Sequence, residues 1–341
     1  MSSLPNLATL DDIRELLKDI PGPDLESAKA ATEREPQLTK PAGSLGRLEE
    51  LSAWATAWQG HYPPSMNRPS VHVFAGNHGV VARGVSAFPP EVTTQMVLNF
   101  ENGGAAINQI CNSVGAGLCV EAMDLDRPTK DFTTGPAMSE TECVEAFSFG
   151  MNVIDEASDV VCLGEMGIGN TTSAAAISLA LFGGNAPLWT GPGTGIDKKA
   201  MALKAETVAE AVRVNTPAMK DGLDVLMCLG GRELVAIAGA VVGARLKRVP
   251  VLLDGFVSTA AAATLRGVNA HALDHCKVGH VSEEPGHKLL LEKIAKKPLL
   301  NFNMRLGEAS GAALAVSILK SAVACHNGMA TFADAGVSDK D

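Results

Sequence analysis

A glutamate set inside a glycine-rich turn is the first residue of this chain that could do chemistry. Glu165 lies in GEMGIGNTT, residues 164–172, after a short apolar run and before an alanine-rich segment. That order reads as strand, turn and helix start. Free N–H groups and the positive end of a helix dipole make such a place an anion site. Gly167 and Gly169 would let a phosphate approach the backbone, with Asn170 or Thr171 capping the helix. No lysine follows the glycines, so this is not a Walker loop. The plain alternative is a tight strand-to-helix connection, but a carboxylate in the turn has no evident packing value.

Two further segments carry charged groups beside glycines. WTGPGTGIDKK, residues 189–199, opens a long helix and could bring Lys198 or Lys199 to a phosphate. Lysine in a first turn opposes the dipole unless an anion offsets it. The segment lacks the preceding strand and the remainder of a dinucleotide fingerprint. RLGEASG, residues 305–311, opens the last long helix, and its Glu308 is either a dipole-complementing residue or a catalytic carboxylate. His271, His275, His280 and His287 invite a metal reading. However, no glutamate follows His271 as a metalloprotease helix requires, and His280 falls after a strand of different period. They read as hydrogen-bonded structural histidines, and no metal or cofactor is expected.

The elements that must position these residues alternate. Apolar runs at residues 71–75, 118–122, 160–163, 249–253 and 278–281 read as buried strands separated by helix-length segments. This pattern predicts an α/β fold with a mostly parallel sheet covered by helices on both faces. Ligands then bind beyond the carboxyl ends of the strands, where the turns above fall. Helices are expected near residues 10–20 and 24–34 and after Leu45. Another is expected at 310–325, packing with the N-terminal helices as a smaller helical domain. The expected division is 1–65, 66–305 and 306–341, the outer two segments forming the small domain.

Composition narrows the function. The net charge of −10 leaves no basic excess for nucleic acid. An anionic ligand therefore needs a local site. The 4% aromatic content, beside plentiful Ala, Val, Leu and Gly, suits packed α/β layers better than a β-sandwich. Seven scattered cysteines without a C-x-x-C pair read as reduced thiols and a cytoplasmic location. The acidic N-terminal segment has no signal-peptide stretch, and the apolar run 234–244 is too short to span a bilayer, so no membrane role is expected.

Several long motifs in order resemble one family, the nicotinate-nucleotide:dimethylbenzimidazole phosphoribosyltransferases. They are KPAGSLGRLE (40–49), FAGNHGV (74–80), GVSAFPPEVT (84–93), GEMGIGNTT (164–172), VLLDGF (251–256) and MRLGEASGAAL (304–314). The resemblance implies transfer of the phosphoribosyl group of nicotinate mononucleotide to 5,6-dimethylbenzimidazole, giving the lower-ligand nucleotide of cobalamin. It also implies a homodimer with sites near the subunit interface and no metal. By position, Glu308 resembles the family's catalytic base, and the turn from Glu165 to Thr172 part of its nucleotide site. Lys199 resembles its phosphate partner, and Phe88, Met96 and Leu306 its aromatic-base pocket. Asn77 departs from a frequent Asp, and Phe88 and Met96 replace polar residues of some members. The chain also lacks the acidic pair and Thr/Gly loop with which diphosphate-donor enzymes hold ribose diphosphate and magnesium. Two alternatives stand beside this reading: a transferase with another aromatic acceptor, and a non-catalytic nucleotide- or benzimidazole-binding protein.

Overall fold

The computed structural model describes residues 4–338. Six strands form one sheet: β1 (Pro69–Ala75), β2 (Gly117–Ala122), β3 (Val160–Met166), β4 (Val251–Leu253), β5 (Cys276–His280) and β6 (Pro298–Leu300). Every pair is parallel, in the order β2-β1-β3-β4-β5-β6. The α/β reading is therefore correct. β6 is the strand not foreseen: three residues long, opening on a proline, it has too little apolar pattern to be read locally and sits at the edge, where proline is tolerated.

Strand alternation builds a core on each face. Phe74, Val161, Leu163, Val251 and Leu253 belong to one buried cluster, covered by Glu140–Val153, Asn170–Phe182, Arg232–Leu246 and Phe256–Arg266. Val71, Val73, Val160, Cys162 and Leu252 belong to the other. Arg47–Gln59, Ala106–Val114 and Ser310–Gly328 contribute to that second cluster.

The helices Leu25–Arg34, Arg47–Gln59 and Ser310–Gly328 pack together, so segments from both ends of the chain meet. Arg34 Nε donates to the His326 carbonyl at 3.0 Å, and His326 Nδ1 lies 2.7 Å from Glu35 Oε2. The first helix, Leu10–Lys18, goes elsewhere. Its Leu10, Ile13 and Leu17 join the core beneath Phe74, and Arg14 bridges Asp221 and Asp224 at 2.7 and 2.8 Å.

The direction in which successive strands are added reverses between β1 and β3: β2 lies outside β1, while β4 to β6 extend the other way from β3. A crevice opens at such a switch point, beyond the carboxyl ends of the two strands. The chain there is Gly76–His78 on one side and Glu165–Gly169 on the other.

Candidate active site

A cavity of about 470 Å³ opens beside this crevice, over the carboxyl ends of β3, β4 and β5. Its walls include Glu165, Gly167, Asn170 and Thr171 from the turn, Phe88, Gly193 and Thr194 from two loops, and Ser282 and Glu284 after β5. Arg305, Leu306 and Gly307 close it from the segment before the last long helix.

The turn follows its sequence pattern with one change. The N-cap of Asn170–Phe182 is Gly169, at φ +91°, a left-handed conformation that a side chain would strain. Asn170 is thereby freed from capping, and its amide donates to Glu165 Oε2. Behind the turn lies a buried relay. His78 Nε2 is 2.5 Å from Glu233 Oε1, and Ser173 Oγ is 3.1 Å from His78 Nδ1. The Asn77 amide donates to the Leu125 carbonyl at 2.9 Å, a bond an aspartate could not make.

Glu308 reaches the site through an unusual backbone. Glu308 and Ala309 both have φ +61°, a left-handed pair without glycine, and such strain gathers at functional positions. The Glu308 N–H donates to the Glu165 carbonyl at 3.1 Å, holding the two acidic residues together. Gly164 makes that approach possible, because a Cβ there would collide with the Ala309 backbone.

Glu308 does not complement the helix dipole. Asp254, at the end of β4, does so, accepting from the N–H groups of Gly311 and Ala312 at 2.8 and 3.0 Å. Glu308 instead lies 6% exposed directly behind the lining Gly307, its Oε2 without a hydrogen-bond partner. Burial, with Asp254 nearby, pushes its carboxyl up to about 7. Glu165 rises to about 8, again chiefly through burial and then Asp254, with the Asn170 amide opposing the shift.

The structure does not bring Lys199 to the cavity, and it is Lys204, itself outside the lining, that bonds the lining Thr171. Lys199 is exposed, on the first turn of Lys198–Asn215, and does not line the cavity. The buried face of that helix carries Lys204, Thr207, Val208, Ala211 and Asn215. Five residues on, Lys204 points about 140° away from Lys199. Its Nζ donates to Thr171 Oγ1 at 2.7 Å and to the Gly191 carbonyl at 3.1 Å. Burial lowers its ammonium to about 8, with Glu284 opposing the shift. A lysine on the apolar stripe of an amphipathic helix is the signal that would have found it.

Phe88 and Leu306 line the cavity, 48% and 54% exposed. Met96 does not. The helix Glu91–Glu101 turns Thr93, Val97 and Phe100 inward, leaving Met96 half-buried against the second core cluster. Thr93 instead serves the turn, its Oγ1 accepting from the Ile168 N–H at 3.2 Å.

The four histidines form no common cluster, although the rings of His280 and His287 pack edge to face with centroids 6.5 Å apart. His271 is exposed beside Asp274, while His275 is buried between Arg245 and the Val241 carbonyl. His280 lies 3.4 Å from Asp254, and His287 accepts from the Ser282 N–H at 2.8 Å. Among the described residues, the one close group of His, Cys and acidic side chains is His72, Cys119 and Glu121, on β1 and β2.

Comparison with known proteins assigns the lineage. A family model described as "Phosphoribosyltransferase" matches residues 20–337. The nicotinate-nucleotide–dimethylbenzimidazole phosphoribosyltransferase of Ruegeria pomeroyi is 58% identical over 336 residues, covering 98% of this chain and 99% of its own. The chain belongs to this phosphoribosyltransferase family. A Brucella canis relative of the same name is 56% identical over 328 residues, covering 96% of this chain and 97% of its own. The crystal structure of the nicotinate-nucleotide–dimethylbenzimidazole phosphoribosyltransferase from Thermus thermophilus superposes with a TM-score of 0.85 at 38% identity. It covers 93% of this chain and 100% of that one. Family membership therefore extends over both the sheet and the segment carrying Glu308.

Proposed function

We propose that this enzyme transfers the phosphoribosyl group of nicotinate mononucleotide to 5,6-dimethylbenzimidazole. The products are α-ribazole 5′-phosphate and nicotinate. The observation that carries this reading is the joining of Glu165 and Glu308 through one backbone hydrogen bond, beside a glycine-rich helix start and a buried lysine. The near-full-length relatives of that name support it.

The chemistry fits those groups. The donor's pyridinium departs as a neutral ring nitrogen, keeping the electron pair of the broken glycosidic bond. No acid is needed, in contrast to glycoside hydrolysis. The acceptor attacks the anomeric carbon through its unprotonated nitrogen and loses the proton of its other nitrogen. Glu308, poised at about 7, is suited to take that proton. Attack opposite the leaving group converts a β-nucleotide to an α-nucleotide. Burial disfavours the charged form of Glu165, whose carboxyl is raised to about 8. An arriving pyridinium favours its ionised form, which then faces the cationic anomeric carbon.

The phosphate takes the turn Gly167–Thr171 with Lys204, and the flat acceptor takes the apolar wall of Phe88 and Leu306. Phe88, Leu306, Phe302 and Leu203 are exposed apolar residues, two of them on the cavity rim, and a second copy of the chain is the cover we infer for them. All seven cysteines are free, which favours a cytoplasmic location. No helix among the described residues is long and apolar enough to cross a membrane.

The test is to incubate the purified protein with nicotinate mononucleotide and a panel of aromatic bases. Formation of α-nucleotide, fastest with the dimethyl base, is the expected result. Ligand binding without product would leave only a binding protein.

A further inference from the structure

We propose that Arg305 forms the subsite for the carboxylate of the donor's pyridine ring, and so makes the enzyme prefer a nicotinate donor to a nicotinamide one. This rests on the donor reading given above. That donor carries two anionic groups, the 5′-phosphate and the ring carboxylate, on opposite ends of the ribosyl-pyridinium.

Two cationic groups serve the cavity from different sides. Lys204 stands behind the phosphate end, where its Nζ contacts Thr171 at 2.7 Å. Arg305 comes from the segment leading to Glu308 and is the one Lys or Arg among the described residues lining the cavity. Its Nη1 donates to the Gly193 carbonyl at 2.9 Å, which fixes the guanidinium at the rim. Among the described residues this is the one hydrogen bond of its side chain, so its Nε and Nη2 N–H groups remain for a ligand.

Charge favours such a group. Glu165 and Glu284 line the same cavity, and Glu308 and Asp254 lie close behind it. Even with Glu165 and Glu308 raised toward their neutral forms, a carboxylate entering beside Glu284 gains from a counter-charge of its own. A guanidinium offers a planar fork of N–H donors that matches a carboxylate bidentately. The amide of a nicotinamide donor has nearly the same shape but is neutral. It also turns an –NH₂ group toward a residue that can only donate. Discrimination therefore arises from the lost ion pair and from two donors facing each other.

The experiment measures kcat/KM with nicotinate mononucleotide and with nicotinamide mononucleotide, for the wild type, Arg305→Gln and Arg305→Lys. The wild type should favour the acid donor. Arg305→Gln should lose about 10- to 100-fold on the acid donor, the span expected for a charged hydrogen bond. The loss on the amide donor should be far smaller, so that the preference collapses. Arg305→Lys, which keeps the charge without the fork, should fall between.

An equal loss on both donors would overturn the proposal and move Arg305 to the phosphate or to a structural role. Equal use of both donors by the wild type would overturn it as well. Should Arg305→Gln not fold, product inhibition of the wild type decides: nicotinate must inhibit at lower concentration than nicotinamide, and equal inhibition refutes the subsite. A wild type making no α-nucleotide from either donor defeats the donor reading itself. Normal turnover without discrimination defeats only the role of Arg305.

Discussion

The N–H of Glu308 is bonded to the carbonyl oxygen of Glu165 at 3.1 Å, although 143 positions separate them in the chain. The carboxyl end of β3 and the loop before the last long helix are thereby one unit. In the proposed mechanism, donor binding at the turn and proton removal at Glu308 therefore share a backbone support.

Replacing Glu308 with Gln keeps size and hydrogen bonding but removes proton acceptance. Loss of a general base typically costs about 10²–10⁴ in rate, and kcat should fall by that amount with the fold intact. The wild-type acidic limb, governed by a carboxyl near 7, should disappear in the variant. Steady-state kinetics across pH, with acceptors of different basicity to separate the acceptor's own titration, checks this. Near-wild-type turnover in a folded variant removes Glu308 from the mechanism.

Lys204 and Lys199 should respond differently to truncation. Lys204→Ala should raise the apparent KM for nicotinate mononucleotide by about tenfold or more, the worth of a charge-assisted hydrogen bond. Its effect on kcat should be smaller, because phosphate binding is shared by ground and transition states. Lys199→Ala, a change at an exposed position, should leave both constants near wild type. The reverse ranking would restore Lys199 as the phosphate partner.

Folding stability should carry the signature of the two raised carboxyls, about 8 for Glu165 and about 7 for Glu308. Between the ordinary glutamate range and those values, the folded chain holds protons that the unfolded chain has released. The contribution of these groups is therefore fully present at low pH and is lost as pH rises through that window. Glu165→Gln and Glu308→Gln stay neutral at every pH. Their Tm relative to wild type should rise between about pH 5 and about pH 9. A difference that stays flat over that range argues against both shifts.

Gly164→Ala places a methyl group against the Ala309 backbone. Overpacking of this kind costs about 1–3 kcal/mol. Because the collision lies beside Glu308, kcat should fall together with stability. Denaturant unfolding and turnover on the same preparation test the pairing, and a stable variant of unaltered kcat would show that the loop yields freely.

Much of this protein was legible in local pattern. Four of the five strands foreseen are largely buried, as apolar runs between helix-length segments imply, because a strand buried on both faces must be apolar along its length. β2 is an edge strand with no buried residue, a correction to its reading as a buried strand. The turn at Glu165 was legible for a related reason: glycines and a polar residue before an alanine-rich run specify a strand-to-helix connection on their own.

Tertiary structure decided the rest. β6 forms because β5 offers it an edge, since its three residues carry too little pattern to declare a strand. Lys204 rather than Lys199 meets Thr171 because it lies on the helix stripe that packs inward, and what that stripe packs against is settled only in the fold. Met96 falls outside the cavity for the same reason. Asp254 caps the helix that Glu308 was placed to complement, and no local signal joins residues so far apart in the chain. Residue types and their spacing determine which chemistry is available. Which of two similar residues performs it depends on direction and burial, and those exist only once distant elements have packed.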